Sequence, residues 1–271
     1  MKIAFIGGGN MAAALISGLG RTRPQSGWIR VSEPSEQARQ ALTAEYGVEC
    51  HDHARPVVSD AEIIVLAVKP QVMPAVLNEL SGLIQAKQLV LSIAAGIPVC
   101  AISAALENRP PVVRAMPNTP ALIGKGVSGA FAGPGCSARQ RELGEVVLRA
   151  AGDCVWIEDE ALMDVVTAVS GSGPAYFFLL IEALRDAGEA LGLPGKIATR
   201  LALQTAAGAG AMAVESALDV SELRKRVTSP GGTTQAALEA FAEGGFRELV
   251  AEGVQAATRR GRELAQQGDS S

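Results

Sequence analysis

Ile3-Ala4-Phe5-Ile6-Gly7-Gly8-Gly9-Asn10-Met11-Ala12 reads as a short apolar strand, a glycine turn and the start of a helix. Within it, Gly7-x-Gly9-x-x-Ala12 has the G-x-G-x-x-G/A form of the dinucleotide fingerprint. Each small residue has a physical task. Gly7 permits a tight turn, Gly9 lets a pyrophosphate approach the backbone, and Ala12 lets the helix lie against the strand. A lone glycine triplet is weak evidence, but this one follows a strand and opens a helix, the context that a nucleotide-binding βαβ unit requires. Ile6, Gly7, Gly8, Gly9, Asn10 and Met11 are therefore the candidate cofactor contacts at this turn.

The same alternation continues outward. Apolar, β-rich runs predict strands over 2–6, 28–32, 63–68, 88–93, 112–115, 127–131 and 154–157. Between them the periodicity predicts helices over 10–19, 35–46, 72–84 and 138–150. Residues 63–68 are continuously apolar, as in a strand buried on both faces of a parallel sheet. The class expected is α/β, a Rossmann doubly wound parallel sheet. Beyond residue 158 the character changes to alanine- and leucine-rich helices over 175–191, 196–217, 220–226, 234–242 and 247–267. A boundary is expected there, with residues 1–159 forming the dinucleotide-binding domain and 160–271 an all-α domain. The tail 268–271 is expected to fray. The helices around 183–190 and 201–217 are apolar over more than one face, and a helical half of this size has too little bulk to bury them. A second copy of the chain is the natural cover.

Composition excludes several classes. The chain has 271 residues, 48% apolar and 4% aromatic, and a net charge of −4 with no basic block. Nucleic acid is not expected as a partner. The N-terminal apolar run breaks at Gly7, too short for a signal or spanning segment, so no membrane association is expected. Cys50, Cys100, Cys136 and Cys154 form no Cys-x-x-Cys pair and read as reduced, mostly packed thiols of a cytoplasmic protein. His51-Asp52-His53 lacks further ligands to complete a metal site, and a loop with two solvated imidazoles is expected instead.

Other strand ends supply further candidates. Ser32 and Glu33 end the second strand, and Glu33 lies 21 positions after Ala12, where an acidic side chain can bind a ribose 2′-hydroxyl. The same carboxylate repels a 2′-phosphate, which tilts the cofactor toward NADH, although Arg30 or Arg39 could swing in to accommodate NADPH. Ala67, Val68, Lys69 and Pro70 follow the buried strand at 63–68; Lys69 there lies either along the cofactor phosphates or ribose, or free in solvent. Ala94 and Ala95 leave room beside the cofactor. Asn118, in the turn Met116-Pro117-Asn118-Thr119-Pro120, either serves the nicotinamide side or caps the turn.

Far along the chain, Ser229-Pro230-Gly231-Gly232-Thr233-Thr234 precedes a helical run. Backbone N–H groups without an intrahelical partner point outward there, at the positive end of the helix dipole, and suit a small carboxylate or phosphate. An N-cap turn with no ligand is the plain alternative. One chain that carries both a nucleotide cradle and a distant anion cradle reads as a cofactor enzyme.

With these pieces placed, the chain resembles the pyrroline-5-carboxylate reductase family. The resemblance rests on Phe5-Ile6-Gly7-Gly8-Gly9-Asn10-Met11, Ala67-Val68-Lys69-Pro70, Arg114-Ala115-Met116-Pro117-Asn118-Thr119-Pro120, Ser170-Gly171-Ser172-Gly173-Pro174-Ala175-Tyr176 and Val227-Thr228-Ser229-Pro230-Gly231-Gly232-Thr233-Thr234, in this order along the whole chain. It implies a helical dimerisation domain after the Rossmann domain, and NADPH- or NADH-dependent reduction of 1-pyrroline-5-carboxylate to L-proline in a homodimer or a decameric ring of dimers. It also implies that Ser229, Gly232, Thr233 and Thr234 hold the substrate, that the Thr234 hydroxyl faces the ring nitrogen, and that Glu160 lies near substrate or serves as a helix-start carboxylate. Glu33 stands where relatives often carry a small hydroxyl residue, Ala54 where they carry an Asn at the adenosine end, and Arg226 where many have an Asn touching the cofactor. Arg226 therefore either reaches a phosphate or is a surface arginine. A β-hydroxyacid dehydrogenase would need a lysine on the helix after the linker, and none occurs between Lys125 and Lys196. A nucleotide-sensing scaffold would bind cofactor without turnover.

Overall fold

Strand β1 (Ile3–Ile6) is buried along its whole length and lies in the middle of the sheet. This is a computed structural model, which describes residues 1–22, 28–107 and 109–268. β1 pairs in parallel with β2 (Ile29–Ser32) on one side. β3 (Glu49–His51) lies beyond β2, and β4 (Ile63–Leu66) pairs in parallel with the other side of β1. β5 (Leu89–Ser92), β6 (Val112–Met116), β7 (Gly126–Ala132) and β8 (Gly152–Ile157) complete an eight-stranded sheet in the order β3-β2-β1-β4-β5-β6-β7-β8. Chain direction across the sheet reverses at β1/β4, the position outside which open α/β sheets bind ligands.

Alternate strand residues face opposite layers. Ile3, Phe5, Ile63, Val65 and Leu91 pack with Leu15, Ile16 and Leu19 of α1 (Asn10–Thr22), and this layer also takes Leu42 of α2 (Glu36–Tyr46). Ala4, Ile6, Ile64, Leu66 and Val90 form the other layer. They pack with Val57 and Val58 of α3 (Arg55–Val58), Met73, Leu77 and Leu80 of α4 (Met73–Leu80), and Ile102 of α5 (Val99–Ala105). α6 (Ala138–Arg149) contributes Val147 and Leu148 to the first layer. The continuous apolar runs are thus strands buried on both faces.

Three elements differ from the sequence reading. β3, α3 and α5 are short and carry no clear apolar period, and pairing with β2 or packing on the sheet defines them. His51, expected in a loop, ends β3, and its Nε2 lies 2.7 Å from Glu49 Oε1. The sheet is mixed rather than wholly parallel, because β7 runs antiparallel to β6. The connection between them is shorter than a parallel crossover requires.

Two compact units divide the chain, Met1–Ser172 with Ala257–Ser271, and Gly173–Ala256. Residues 160–172 therefore pack with the sheet, although the helical composition begins earlier. They form a 3-10 turn (Glu160–Leu162), α7 (Met163–Val166) and a π-helical turn (Thr167–Gly171). The second unit contains α8 (Gly173–Ala190), α9 (Gly195–Glu215), α10 (Val220–Arg226), α11 (Thr233–Glu243) and the first part of α12 (Phe246–Gly268). The tail residues 269–271 lie outside the described residues.

Taken by itself, the helical unit has almost no core. Gly173, Ala198 and Ala202 are its buried positions on α8 and α9, whereas Phe177, Phe178 and Leu179 are 67%, 61% and 66% exposed. Leu201, Leu203, Met212 and Val214 of α9 are exposed as well. The run Glu160–Ala190 is long and apolar enough to cross a membrane by length and composition.

Candidate active site

The carboxyl ends of β1, β2, β4, β5 and β6 share one edge because these strands are parallel and in register; Ile6 lies beside both Ser32 and Leu66. That edge collects the loops holding Ile6–Met11, Ser32 and Glu33, Ala67–Pro70, Ala94 and Ala95, and Asn118. Residues separated by more than a hundred positions become one rim.

At its centre is the glycine turn. Gly7 has φ +97°, the left-handed region that favours glycine, and a Cβ there would lie 2.6 Å from the Ala67 carbonyl oxygen. Its N–H donates to the Ser32 carbonyl at 2.8 Å, tying the turn to β2. Gly9 presents the opposite case: a Cβ on it would meet nothing within 4 Å. Nothing inside the protein requires glycine at this exposed position. An approaching pyrophosphate would, and α1 begins immediately afterwards with its N-terminal N–H groups. The residues present fit a dinucleotide.

Glu33 is turned toward this loop. Its Oε2 accepts the Gly8 N–H at 2.9 Å and its Oε1 accepts the Ser35 N–H at 2.9 Å, so the carboxylate is held against the glycine turn at the end of the second strand. Arg39 donates through Nη1 to the carbonyls of Glu33 and Pro34, each at 2.8 Å, and lies beside the same spot. Arg30 is committed elsewhere, to Glu49 at 3.1 Å and Asp60 at 2.7 Å. Ala54 is buried in the core below α3, its N–H donating to Glu79. Lys69 is exposed on extended backbone before a 3-10 turn (Pro70–Val72).

On the other flank, the buried Ser92 hydroxyl accepts the Ala94 N–H at 3.4 Å and shapes the loop carrying Ala94 and Ala95. Asn118 is buried, and its side chain is engaged at both ends. Its Oδ1 accepts the Val127 N–H at 2.9 Å, and its Nδ2 donates to the Ser170 carbonyl at 3.1 Å. Asn118 thus ties the end of β6 to β7 and to the π-helical turn. Glu160 lies in the same unit, its Oε1 accepting from Arg114 and from the Val99 N–H. Arg114 had no role assigned from sequence. The available signal was a lone charge inside the apolar run Val112-Val113-Arg114-Ala115-Met116.

The anion turn belongs to the helical unit. Gly231 has φ +69°, and the Gly232 N–H closes onto the Ser229 carbonyl at 3.0 Å. Gly232 is the cap residue of α11 and offers no side-chain cap, so the Thr233 and Thr234 N–H groups open the helix uncapped. Ser229 is exposed and Thr234 half-buried. Arg226 is exposed and lies 3.7 Å from Glu222, a loose surface pair. Burial pushes the Cys154 thiol up to about 11, and the four cysteines are free.

This rim defines a Rossmann oxidoreductase that uses a nicotinamide dinucleotide. Residues 2–96 match the family model for NADP oxidoreductase, coenzyme F420-dependent, and residues 160–264 match that for pyrroline-5-carboxylate reductase dimerisation. The chain is 49% identical to a pyrroline-5-carboxylate reductase of Pseudomonas aeruginosa over 98% of this chain and 97% of that protein. It is 41% identical to that of Haemophilus influenzae over 97% of each. Among solved structures it is similar to a pyrroline-5-carboxylate reductase of Coxiella burnetii, with TM-score 0.94, 38% identity and coverage of 97% of this chain and 98% of that one. The Plasmodium falciparum pyrroline carboxylate reductase with NADP bound gives TM-score 0.84 and 28% identity over 98% of each chain. The chain belongs to the pyrroline-5-carboxylate reductase family.

The open space over Gly9 yields a direct test. Gly9→Val should leave the melting temperature within about 2 °C of wild type, since no neighbour is displaced, yet weaken NADH by at least ~10-fold in a fluorescence titration. Unchanged NADH affinity would place the pyrophosphate elsewhere.

Proposed function

We propose that the protein reduces the C=N bond of 1-pyrroline-5-carboxylate to L-proline with NADPH or NADH, the last step of proline biosynthesis. The observation that carries this reading is the uncapped start of α11 at Thr233 and Thr234, in a chain of this family whose other unit holds a glycine turn open at Gly9. The substrate has one carboxylate and a ring nitrogen that is readily protonated, and protonation makes the adjacent carbon a good hydride acceptor. When bound, NAD(P)H supplies that hydride. The protein mainly has to hold and orient the two reactants. The Thr233 and Thr234 N–H groups bind the carboxylate, with Gly232 closing the turn beneath and Ser229 flanking it. The Thr234 hydroxyl faces the ring nitrogen, donating to the neutral imine and accepting from its N–H once it is protonated. Ile6–Met11, Ala67–Pro70, Ala94 and Ala95 line the cofactor, Lys69 reaching its phosphates, while Asn118 shapes the rim. In this reading residues 1–159 form the cofactor domain and 160–271 the substrate and dimerisation domain, with 160–172 and the second part of α12 packed in the sheet-containing unit. Arg226, exposed beside the anion turn, is the candidate for a phosphate contact. Thr234→Ala should lower kcat/KM for NADH-dependent reduction of pyrroline-5-carboxylate by about 10²-fold, the low end for a positioned proton donor. A wild-type value would remove Thr234 from the chemistry, and no turnover of this substrate by the wild type would overturn the assignment.

Cofactor choice follows from Glu33. A 2′-phosphate beside its carboxylate would meet a like charge, worth about 4 kcal/mol at 4 Å for a surface-like dielectric. Arg39, close by, offsets part of that. NADH should be used well and NADPH also accepted. Glu33→Ser should move the kcat/KM ratio toward NADPH by roughly tenfold, the equivalent of about 1.4 kcal/mol; an unchanged ratio would detach Glu33 from the ribose.

A homodimer is the proposed assembly, in the cytoplasm and without a membrane. The exposed Phe177, Phe178 and Leu179 need cover, and a second copy supplies it. The run Glu160–Ala190 is unsuited to spanning lipid, because Glu160 and Asp164 face Arg114 in the sheet-containing unit. Sedimentation of the full chain should give at least twice its 27.9 kDa mass, and Phe178→Asp should shift it toward the monomer. A wild-type monomer at micromolar concentration would refute the dimer.

A further inference from the structure

Arg114 is 7% exposed on β6, and its partners come from far along the chain. Its Nη1 lies 3.0 Å from Glu160 Oε1, and its Nη2 lies 4.0 Å from Asp164 Oδ1. The same Glu160 oxygen accepts the Val99 N–H at 2.8 Å. Val99 is the first residue of α5, where a helix leaves its N–H groups without intrahelical partners. The cap residue, Pro98, makes no side-chain cap. Glu160 therefore caps α5 across 61 positions of sequence, and Arg114 holds Glu160 in place.

The chain between β5 and α5 is the loop that carries Ala94 and Ala95. Its front is fixed to the sheet, the Ile93 N–H donating to the Leu66 carbonyl at 3.1 Å and the Ala94 N–H to Ser92. Its rear is the Val99 N–H on Glu160. Between the two, Gly96 (φ +76°) lies against α12, where a Cβ would sit 3.7 Å from Ala265 Cα. α12 joins the same charge cluster, with Arg262 Nε 4.0 Å from Asp164 Oδ2. Two arginines face two carboxylates here, so the cluster is neutral. Arg114 and Glu160 are 8% and 25% exposed at the side chain, so removing either charge leaves the other poorly hydrated.

The strand order says which part of the cofactor this loop meets. Glu33 takes the adenosine ribose on the β2 side of the glycine turn, so the rest of the dinucleotide extends the other way, over β4 and β5. We propose that Glu160 is a positioning residue for the hydride-transfer site. Held by Arg114, it fixes the rear of the Ala94-Ala95 loop through the Val99 N–H, and that loop is the wall beside the nicotinamide half. This rests on the reductase reading above and replaces substrate contact as the role of Glu160.

The test separates the two. Glu160→Ala should weaken NADH about tenfold in a fluorescence titration without substrate, and lower kcat, while KM for pyrroline-5-carboxylate stays within about twofold. Glu160→Gln retains a carbonyl oxygen for the Val99 N–H and should recover NADH affinity to within about threefold of wild type. Val99→Pro removes the donor and leaves the ion pair intact. Proline is tolerated at a first helical position, and Pro98 already has the extended φ −76°, ψ 156° that a following proline requires. Val99 is 4% exposed, so Val99→Ala, which keeps the N–H donor, is the packing control. Val99→Pro should reproduce the loss of NADH affinity and Val99→Ala should not, and this pair decides the matter if Glu160→Ala does not fold. Wild-type NADH affinity with a raised substrate KM in Glu160→Ala would return Glu160 to the substrate and overturn the proposal. Wild-type affinity and kcat with only a lower melting temperature would overturn it too. The titration contains no substrate, so it reads the proposal even if pyrroline-5-carboxylate is not reduced.

Discussion

The close approach of Gly7 to the Ala67 carbonyl is the constraint on which the rest of the site depends. β1 and β4 run side by side in register, and both chains must leave the sheet at one edge within a few residues. Any side chain at Gly7 would strike the backbone of the neighbouring loop, and its positive φ turns the chain sharply into α1. That turn aims the N-terminal N–H groups of α1 into the crevice and leaves Gly9 facing open space. The buried Phe5 and Ile6 on one side and Ala12 on the other anchor the turn, so the cradle is formed before any ligand arrives.

Two carboxylates organise the rim by the same means. Glu33 accepts N–H groups from the glycine turn and from the start of α2, and Glu160 accepts the N–H that opens α5. A carboxylate accepting backbone N–H groups is favoured by charge-assisted hydrogen bonding, and near a helix start by the dipole as well. Neither needs a catalytic proton to be useful. This suits a reaction whose substrate already carries a readily protonated nitrogen and which depends more on orientation than on a strong acid.

The helical unit follows a different logic. Alanine and glycine give α8 and α9 narrow faces that pack closely, but its large apolar side chains point away from its own interior. In the proposed dimer, burying them would make folding and association one process, with stability depending on protomer concentration. The family match over residues 160–264 is to a dimerisation domain, which accords with this surface.

Much was legible in the sequence because it is encoded locally. The glycine turn, the apolar strands, the longer helices and the change of composition near residue 159 each depend on neighbours within one element, so their periods and turn residues can be read directly. Glu33 could also be found, because the distance from a first to a second strand is nearly constant in a βαβ unit. What only the tertiary structure decided are long-range pairings. These include the short strand Glu49–His51, defined by its hydrogen bonds to β2, the antiparallel return of β7, the packing of residues 160–172 on the sheet, and the meeting of Arg114 with Glu160 and Val99. A lone arginine in an apolar strand announces that a counter-charge must exist. Which carboxylate answers it depends on how distant segments close over the sheet, and no local period carries that information.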